Sequence, residues 1–215
     1  MSTPARELGK REARRALHQE VSRAQILDAA EEVFASKGYH EATIREIAQL
    51  AEFSVGAVYS FFETKDDLFV QIYLRRGVEF MDGMRELMGE KQPPREQMHR
   101  LADYQVNFFR EHPNFGRLYL RTSAVALGDV ETKINELVSD RYAEAMKLQS
   151  NMFRAGQRDG TFRNGDPFVV ARLFSAMVSA FQGTDLDVVG SNAPAHRPMS
   201  VEDFHDYLDG AFTIS

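Results

Sequence analysis

Cysteine is absent from the 215 residues of the chain, which excludes disulfides, thiol nucleophiles and zinc sites with thiolate ligands. This absence also fits a reducing compartment. The six histidines are scattered, and none stands at metal-ligand spacing from a second ligand. The sequence shows no nucleophile elbow, phosphate loop or defensible pair of catalytic carboxylates. We therefore expect no metal, no cofactor and no enzyme activity.

Long apolar runs are also lacking. The first 23 residues contain no apolar core of the kind that a signal peptide needs. The most apolar stretch, residues 167–181, is interrupted by Arg172 and is shorter than the roughly 20 residues that cross a bilayer. We expect a cytoplasmic protein without a membrane partner, in which this stretch forms a buried helix.

The chain carries a net charge of -6, but its positive charge is concentrated at one end. Residues 1–23 carry a net +3, so the remaining 192 residues carry -9. A basic N-terminal arm, residues 1–20, can contact the phosphate backbone of a nucleic acid. Glu7 and Glu12 also stand at spacings that allow ion pairs within the arm, so a disordered or self-paired tail is an equal alternative.

Apolar residues recur with a helical period along the whole chain, and no convincing strand is evident. The pattern predicts an all-α fold of about nine helices. The expected helices cover residues 21–37, 44–50, 54–61, 65–88, a stretch between the breaks at residues 93–94 and 112–113, 114–127, 130 to about 160, an apolar helix beginning at Pro167, and 201–212. Thr43 with Glu46 forms a capping box, and Ser54 is a suitable N-cap, so the second and third helices have well-defined starts.

Two short helices, residues 44–50 and 54–61, have the spacing of a helix-turn-helix. Ala48 supplies the small side chain that is needed where the two helices cross. The apolar residues that can fill the wedge between the helices are Ile44, Ile47, Phe53 and Val58. The second helix of such a motif enters the major groove of DNA, so double-stranded DNA is the expected partner.

The expected recognition helix presents small residues, which let the backbone approach base edges and offer methyl contacts to thymine. These residues are Val55, Gly56, Ala57 and Ser60. Affinity is expected to come largely from phosphate contacts. The candidates for these contacts are Thr43, Ser54, Tyr59 and Lys65, and Arg45 can reach a phosphate or a base.

Residues 23–69 resemble the DNA-binding domain of the TetR family of helix-turn-helix transcriptional regulators. The residues that keep the family's register without a gap are Gly38, Tyr39, Thr43, Ile47, Ala48, Ser54, Gly56, Tyr59, Phe62, Lys65 and Leu68. The chain departs from the family's pattern at Glu52, where glycine is usual, and at Val55, where lysine or arginine is common. A non-glycine residue in the left-handed conformation costs about 1 kcal/mol, so we expect the turn to form nevertheless.

The resemblance implies a homodimer that binds a near-palindromic operator and is released by a small molecule, with repression as the usual outcome. It also implies a DNA-binding domain over residues 21–69 and a ligand-binding and dimerisation domain over residues 70–215. The alternative is a protein-interaction role on the same fold, of the nucleoid-occlusion type, in which the DNA-bound protein contacts a division protein. In either role the protein is expected at the nucleoid.

The second part of the chain is rich in phenylalanine and methionine, which suits a plain hydrophobic core and also an adaptable apolar cavity. The resemblance implies a cavity among the fourth to eighth helices for an apolar or amphipathic ligand. The candidate lining residues are Met84, Met88, Tyr104, Phe108, Phe115, Tyr119 and Met152.

The apolar helix that begins at Pro167 has apolar residues on more faces than one core covers. Either it is central to the monomer, or one face meets a partner. The resemblance favours a dimer interface formed by the last two long helices. The candidate interface residues are Phe168, Leu173, Ala176, Met177, Ala180, Phe181 and Tyr207.

Overall fold

A computed structural model of the chain describes residues 4–124, 131–186 and 199–214. Within these residues the all-α prediction is confirmed, with nine helices and a single isolated β-bridge. The helices are α1 (Pro4–Glu41), α2 (Ile44–Leu50), α3 (Val55–Phe61), α4 (Lys65–Gly89), α5 (Pro94–Glu111), α6 (Pro113–Ala124), α7 (Glu131–Arg158), α8 (Pro167–Asp185) and α9 (Val201–Phe212). The expected end of the sixth helix at residues 125–127 lies outside the described residues. None of the described helices is both long and apolar enough to cross a membrane.

The described chain divides into two compact units, one up to Ile72 and one from Tyr73 onward. In the first unit, helix α1 begins at Pro4, so the basic arm is continuous with the helix that we expected to begin at residue 21. The arm is rich in arginine, glutamate and alanine, which are strong helix formers. Gly38, with φ of 80°, interrupts the regular helix three residues before its end, as a left-handed glycine commonly does.

The core of the first unit is the wedge of apolar side chains between α1, α2 and α3. Phe34, Ile47 and Val58 are fully buried in it, and Ala48 is only 2% exposed. The backbone N–H of Phe53 donates to the carbonyl of Ala48 at 2.9 Å and closes the turn between α2 and α3. Glu52, with φ of 60°, occupies the left-handed position of this turn.

The second unit is built around aromatic side chains of α7, α8 and α9. Phe153 and Phe174 are fully buried, and the ring of Phe153 also contacts the ring of Phe212. The segment after α7 pairs with the C-terminal residues, since the N–H of Arg163 donates to the carbonyl of Phe212 at 2.9 Å. The bridge between Phe162 and Thr213 lies at this pairing, which the sequence pattern did not predict.

Candidate DNA-binding interface and ligand cavity

The start of α2 is held by the predicted capping box. The hydroxyl of Thr43 accepts from the N–H of Glu46 at 3.3 Å, and the Glu46 carboxylate accepts from the N–H of Thr43 at 3.1 Å. The same carboxylate forms an ion pair with Lys37. The hydrogen bond from Lys37, followed by that from Thr43, lowers the pKa of Glu46 below its usual value. The exposed start of α2 is therefore fixed by its own side chains.

Helix α3 presents most of the expected recognition residues to solvent. Ser54 caps it, since its hydroxyl accepts from the N–H of Ala57 at 3.1 Å. Tyr59 is 50% exposed although Val58 beside it is fully buried. The other exposed candidates are Thr43, Arg45, Val55, Gly56 and Ser60, and Ala57 is half-buried. Eight of the nine candidate DNA-contact residues thus lie together in the first unit, and the side chain or backbone of each is accessible to DNA.

Arg23 is a residue of this site that the sequence analysis includes only in the positive charge of residues 1–23. Its guanidinium donates to the carbonyl of Phe61, the last residue of α3, at 3.1 Å and lies 4.4 Å from the centroid of the Phe62 ring. Cations near a helix C-terminus satisfy carbonyls that have no partner within the helix. Arg23 is therefore a positioning residue for α3. Its place three residues before the buried Ile26, on the same helix face, was the available signal.

Lys65 is the ninth candidate, and the structure gives its ammonium a different set of partners. The ammonium donates to the carbonyls of Tyr39, Ala42 and His40 at 2.9, 3.1 and 3.4 Å. It also lies 4.4 Å from the centroid of the Tyr39 ring. An ammonium has three N–H donors, so these carbonyls use all of them. Lys65 stabilises the end of α1 in this arrangement, and we do not retain it as a phosphate ligand.

Replacing Lys65 with methionine is expected to lower the free energy of unfolding by about 1–2 kcal/mol, because carbonyls at the end of α1 lose a charged donor. Methionine keeps the apolar stem, so the loss reports the ammonium. Equilibrium denaturation by urea measures it, with Arg45→Met as the control because Arg45 is exposed. Equal stability of the two variants would contradict this role of Lys65.

The second unit contains a cavity of about 100 Å³. Of the candidate lining residues, Met84, Phe115 and Tyr119 line it. The other four, Met88, Tyr104, Phe108 and Met152, do not line it. Helical spacing identifies the inward side of a helix, but both core and cavity lie on that side.

Each of these four residues has another position in the second unit. Met152 is 3% exposed and belongs to the core. Phe108 packs against Phe80 with ring centroids 5.1 Å apart, and the hydroxyl of Tyr104 donates to the carbonyl of Phe80 at 2.8 Å. Met88 packs against the edge of the core. The structure therefore corrects these four assignments.

Polar side chains form one part of the cavity wall. Ser175 donates to the side-chain oxygen of Gln149 at 2.8 Å, and the amide of Gln182 donates to the backbone carbonyl of Gln105 at 2.9 Å. The guanidinium of Arg141 donates to the carbonyl of Tyr73 at 2.6 Å, and burial lowers the pKa of Arg141. We did not name these residues from the sequence. A glutamine within an apolar helical stripe, as at position 105, was the signal that could have found them.

Helix α8 has one buried face and one exposed apolar face. The buried face is packed within the monomer, and the exposed face is available to a partner, so each of the two alternatives from the sequence describes one face. Ala171, Phe174 and Val178 are fully buried, whereas Phe168 and Leu173 are 47% and 56% exposed. The other exposed interface candidates are Ala176, Ala180 and, on α9, Tyr207. Met177 is half-buried.

Phe181 is the exception among the interface candidates. It is 8% exposed and stacks on Phe204 with ring centroids 4.6 Å apart. Its position within the core of the second unit makes it a structural residue of the monomer. The structure thus corrects our assignment of Phe181 to a partner surface. Among the described residues, no group of three or more histidine or acidic side chains is placed to hold a metal ion.

A short exposed helix, braced by a second helix across a tight turn and capped at its start, defines a helix-turn-helix DNA-binding protein. Residues 26–72 match the model of the family described as bacterial regulatory proteins, tetR family. The DNA-binding unit of the chain thus matches the TetR family of transcriptional regulators, as its sequence pattern indicated.

Curated relatives and solved structures agree with this assignment. The chain is 26% identical over 151 residues to the fatty acid metabolism regulator protein of Bacillus subtilis, which covers 69% of this chain and 74% of the relative. It is 24% identical over 177 residues to the HTH-type transcriptional repressor NicS of Pseudomonas putida, covering 82% of each. The solved structure of the regulator FadR from Bacillus subtilis in complex with stearoyl-CoA superimposes with a TM-score of 0.69 at 19% identity, covering 87% of this chain and 95% of FadR. These proteins are regulators, so the prediction that the chain is not an enzyme is confirmed.

Proposed function

We propose that the protein is a homodimeric repressor that leaves its operator when a small molecule occupies the cavity of the second unit. The observation that carries this proposal is the pairing of an exposed recognition helix in one unit with a partly polar cavity in the other. The names of the relatives, a repressor and a regulator crystallised with an acyl-CoA, support it. Ligand and operator affinities are then reciprocally coupled. The comparisons do not support the nucleoid-occlusion alternative.

We assign DNA binding to the first unit, with α3 in the major groove. Ser54, Tyr59 and Thr43 contact phosphates, and Arg45 contacts a phosphate or a base. The exposed surface formed by Val55, Gly56, Ala57 and Ser60 faces base edges. The support for this assignment is their common exposure on α2 and α3 and the burial of Val58 behind them.

Titration of the protein against the DNA upstream of its own gene tests this function. The wild-type protein is expected to bind this DNA more tightly than unrelated DNA at physiological salt. Tyr59→Ala is expected to lower the affinity by about tenfold, because a hydrogen bond to a charged phosphate is lost. Tyr59→Phe retains the ring and loses the hydroxyl, so it separates packing from the phosphate contact. If the wild type, Tyr59→Ala and Tyr59→Phe all bind the upstream DNA and unrelated DNA with the same weak affinity, the proposal is contradicted for the upstream DNA.

We infer that the exposed apolar side chains of α8 and α9 meet a second copy of the chain. Leu173 is 56% exposed although it lies on a helix whose other face is fully buried, and a single apolar patch of this kind is typical of an interaction surface. Phe168 and Tyr207 extend the patch with aromatic side chains, which are common in interfaces.

Leu173→Asp is expected to convert the dimer into a monomer, because a carboxylate would be buried without a partner. Sedimentation velocity over a range of concentrations measures the change. Val78→Asp is the matched control, since Val78 is a 49% exposed apolar residue on α4. If Leu173→Asp is still a dimer at the lowest concentration at which the wild type is a dimer, the inference is wrong.

A further inference from the structure

We propose that the cavity of the second unit binds a short-chain carboxylate, with the carboxylate on Arg141 and a chain of about four or five carbons between the methionine and phenylalanine side chains. This inference deepens the proposed function, on which it rests, by naming the chemical class of the ligand. Three observations carry it: the partners of Arg141, the buried amide of Gln105, and the size and composition of the cavity.

Arg141 is a partly buried cation at the cavity wall without an acidic partner among the described residues. Its guanidinium has five N–H donors, and its one hydrogen bond in the described part of the chain goes to the carbonyl of Tyr73. The charged group that acts on it is another cation, Arg85, whose own carboxylate partners are Glu144 and Asp82. A buried charge is costly unless it is paired. An anionic ligand supplies the missing pair and matches the planar fork of the guanidinium.

The position of this guanidinium depends on Gly77 of α4, which also lines the cavity. A Cβ atom at this position would overlap with Nη1 of Arg141 and would lie 3.0 Å from Cζ. The absence of a side chain at position 77 therefore leaves the space in which the guanidinium lies beside the α4 backbone.

Gln105 provides a second unsatisfied donor at the cavity. Its side chain is 7% exposed, and its Nε2 atom is buried without a hydrogen-bond partner in the described residues. A buried donor without a partner costs free energy, and a ligand oxygen removes that cost. The neighbouring Gln149 and Gln182 are already bonded, one to Ser175 and the other to the backbone of position 105. Gln105 is the cavity-lining glutamine whose amide nitrogen is buried without a partner in the described residues, so it can donate an amide hydrogen to an oxygen of the ligand.

The rest of the wall is apolar, which suits a hydrocarbon chain. Met81, Met84, Phe109 and Met146 line this part, and methionine side chains adapt to chains of different shape. The volume limits the length, because an apolar cavity of about 150 Å³ holds a benzene molecule. A cavity of about 100 Å³ accordingly holds about four or five carbons, and a long acyl chain requires the cavity to widen.

Calorimetric titration of the full-length protein with hexanoate, hexan-1-ol and decanoate tests the proposal. Hexanoate is expected to bind at least about tenfold more tightly than hexan-1-ol, since only the acid pairs with the guanidinium. Decanoate is expected to bind more weakly than hexanoate because its chain exceeds the cavity. Equal affinities for hexanoate and hexan-1-ol would overturn the argument from charge. Tighter binding of decanoate than of hexanoate would overturn the argument from cavity size.

Four variants locate the site. Arg141→Met is expected to abolish the preference for hexanoate over hexan-1-ol, and Arg141→Lys is expected to retain part of it. Gly77→Ala keeps the arginine but displaces its guanidinium, so hexanoate binding is expected to fall while hexan-1-ol binding is unchanged. Gln105→Leu is expected to weaken hexanoate binding several-fold and to raise the melting temperature of the free protein, because an unpaired buried donor is removed. A preference for hexanoate that survives Arg141→Met would overturn the assignment.

Binding and DNA release are measured separately, so that the two proposals fail in different ways. If hexanoate binds as expected but leaves the affinity for operator DNA unchanged, the ligand class stands and release by this ligand is wrong. If an acyl-CoA releases the DNA and hexanoate does not bind, the regulatory function stands and the proposed ligand class is wrong.

Discussion

Gly56→Ala is expected to stabilise the folded protein and to weaken its binding to operator DNA by about tenfold or more. Nothing in the structure lies within 4 Å of a Cβ atom built at Gly56, which is exposed within α3. Alanine in a helix is favoured over glycine by about 0.5–1 kcal/mol, so the free energy of unfolding rises. If the backbone of α3 approaches base edges, the added methyl group occupies space that the DNA needs. The loss of one specific contact to a base costs about 1–3 kcal/mol.

Urea denaturation and operator titration of the same preparation measure the two opposite effects. Gly210→Ala is the matched control, because Gly210 is also exposed within a helix and has nothing within 4 Å of the position of a Cβ atom. We expect this control to gain stability and to bind DNA like the wild type. If Gly56→Ala binds operator as the wild type does, α3 does not approach the bases closely at this position.

Gly156→Ala is expected to lower the free energy of unfolding by about 1–3 kcal/mol, the usual cost of forcing extra atoms into a packed core. A Cβ atom at this position would lie 2.6 Å from Cε2 of Phe162 and 2.9 Å from Cβ of Pro94. The Phe162 ring is 1% exposed and packs on Phe153 with centroids 5.0 Å apart, so it has little room to move.

The same denaturation experiment measures this loss, with Gly89→Ala as the control at an open position near the end of α4. We expect Gly89→Ala to retain at least wild-type stability. A midpoint of Gly156→Ala equal to that of the wild type would show that the Phe162 ring can shift without cost, contrary to the packing described above.

Local chemistry made the helix-turn-helix predictable from the sequence. Thr43, Glu46 and Ser54 form caps with backbone groups three residues away, so the starts of α2 and α3 follow from spacing alone. Periodicity within single helices likewise predicted α2, α4 and α9 to within a residue or two. The one helix that began far from its expected start, α1, did so because the arm contains good helix formers that we treated as a separate segment.

The cavity was less predictable, because the same helical period describes a core and a cavity. Met84 and Met152 are both inward-facing methionines on long helices, yet one lines the cavity and the other is packed within the core. The difference depends on which side chains of neighbouring helices fill the space, which periodicity within one helix does not contain. Arg141 illustrates this, since its position depends on the missing side chain at Gly77.

The sequence by itself therefore determined the all-α fold and the helix-turn-helix that matches the TetR family, because these depend on caps and periodicities that act over three or four residues. The tertiary structure decided the roles of Lys65 and Arg23, whose carbonyl partners lie more than 20 residues away along the chain. It also decided that Phe181 belongs to the core and Leu173 to the surface, although both lie on α8. The physical reason is that a side chain's role follows from the groups that surround it, and only folding brings distant groups together.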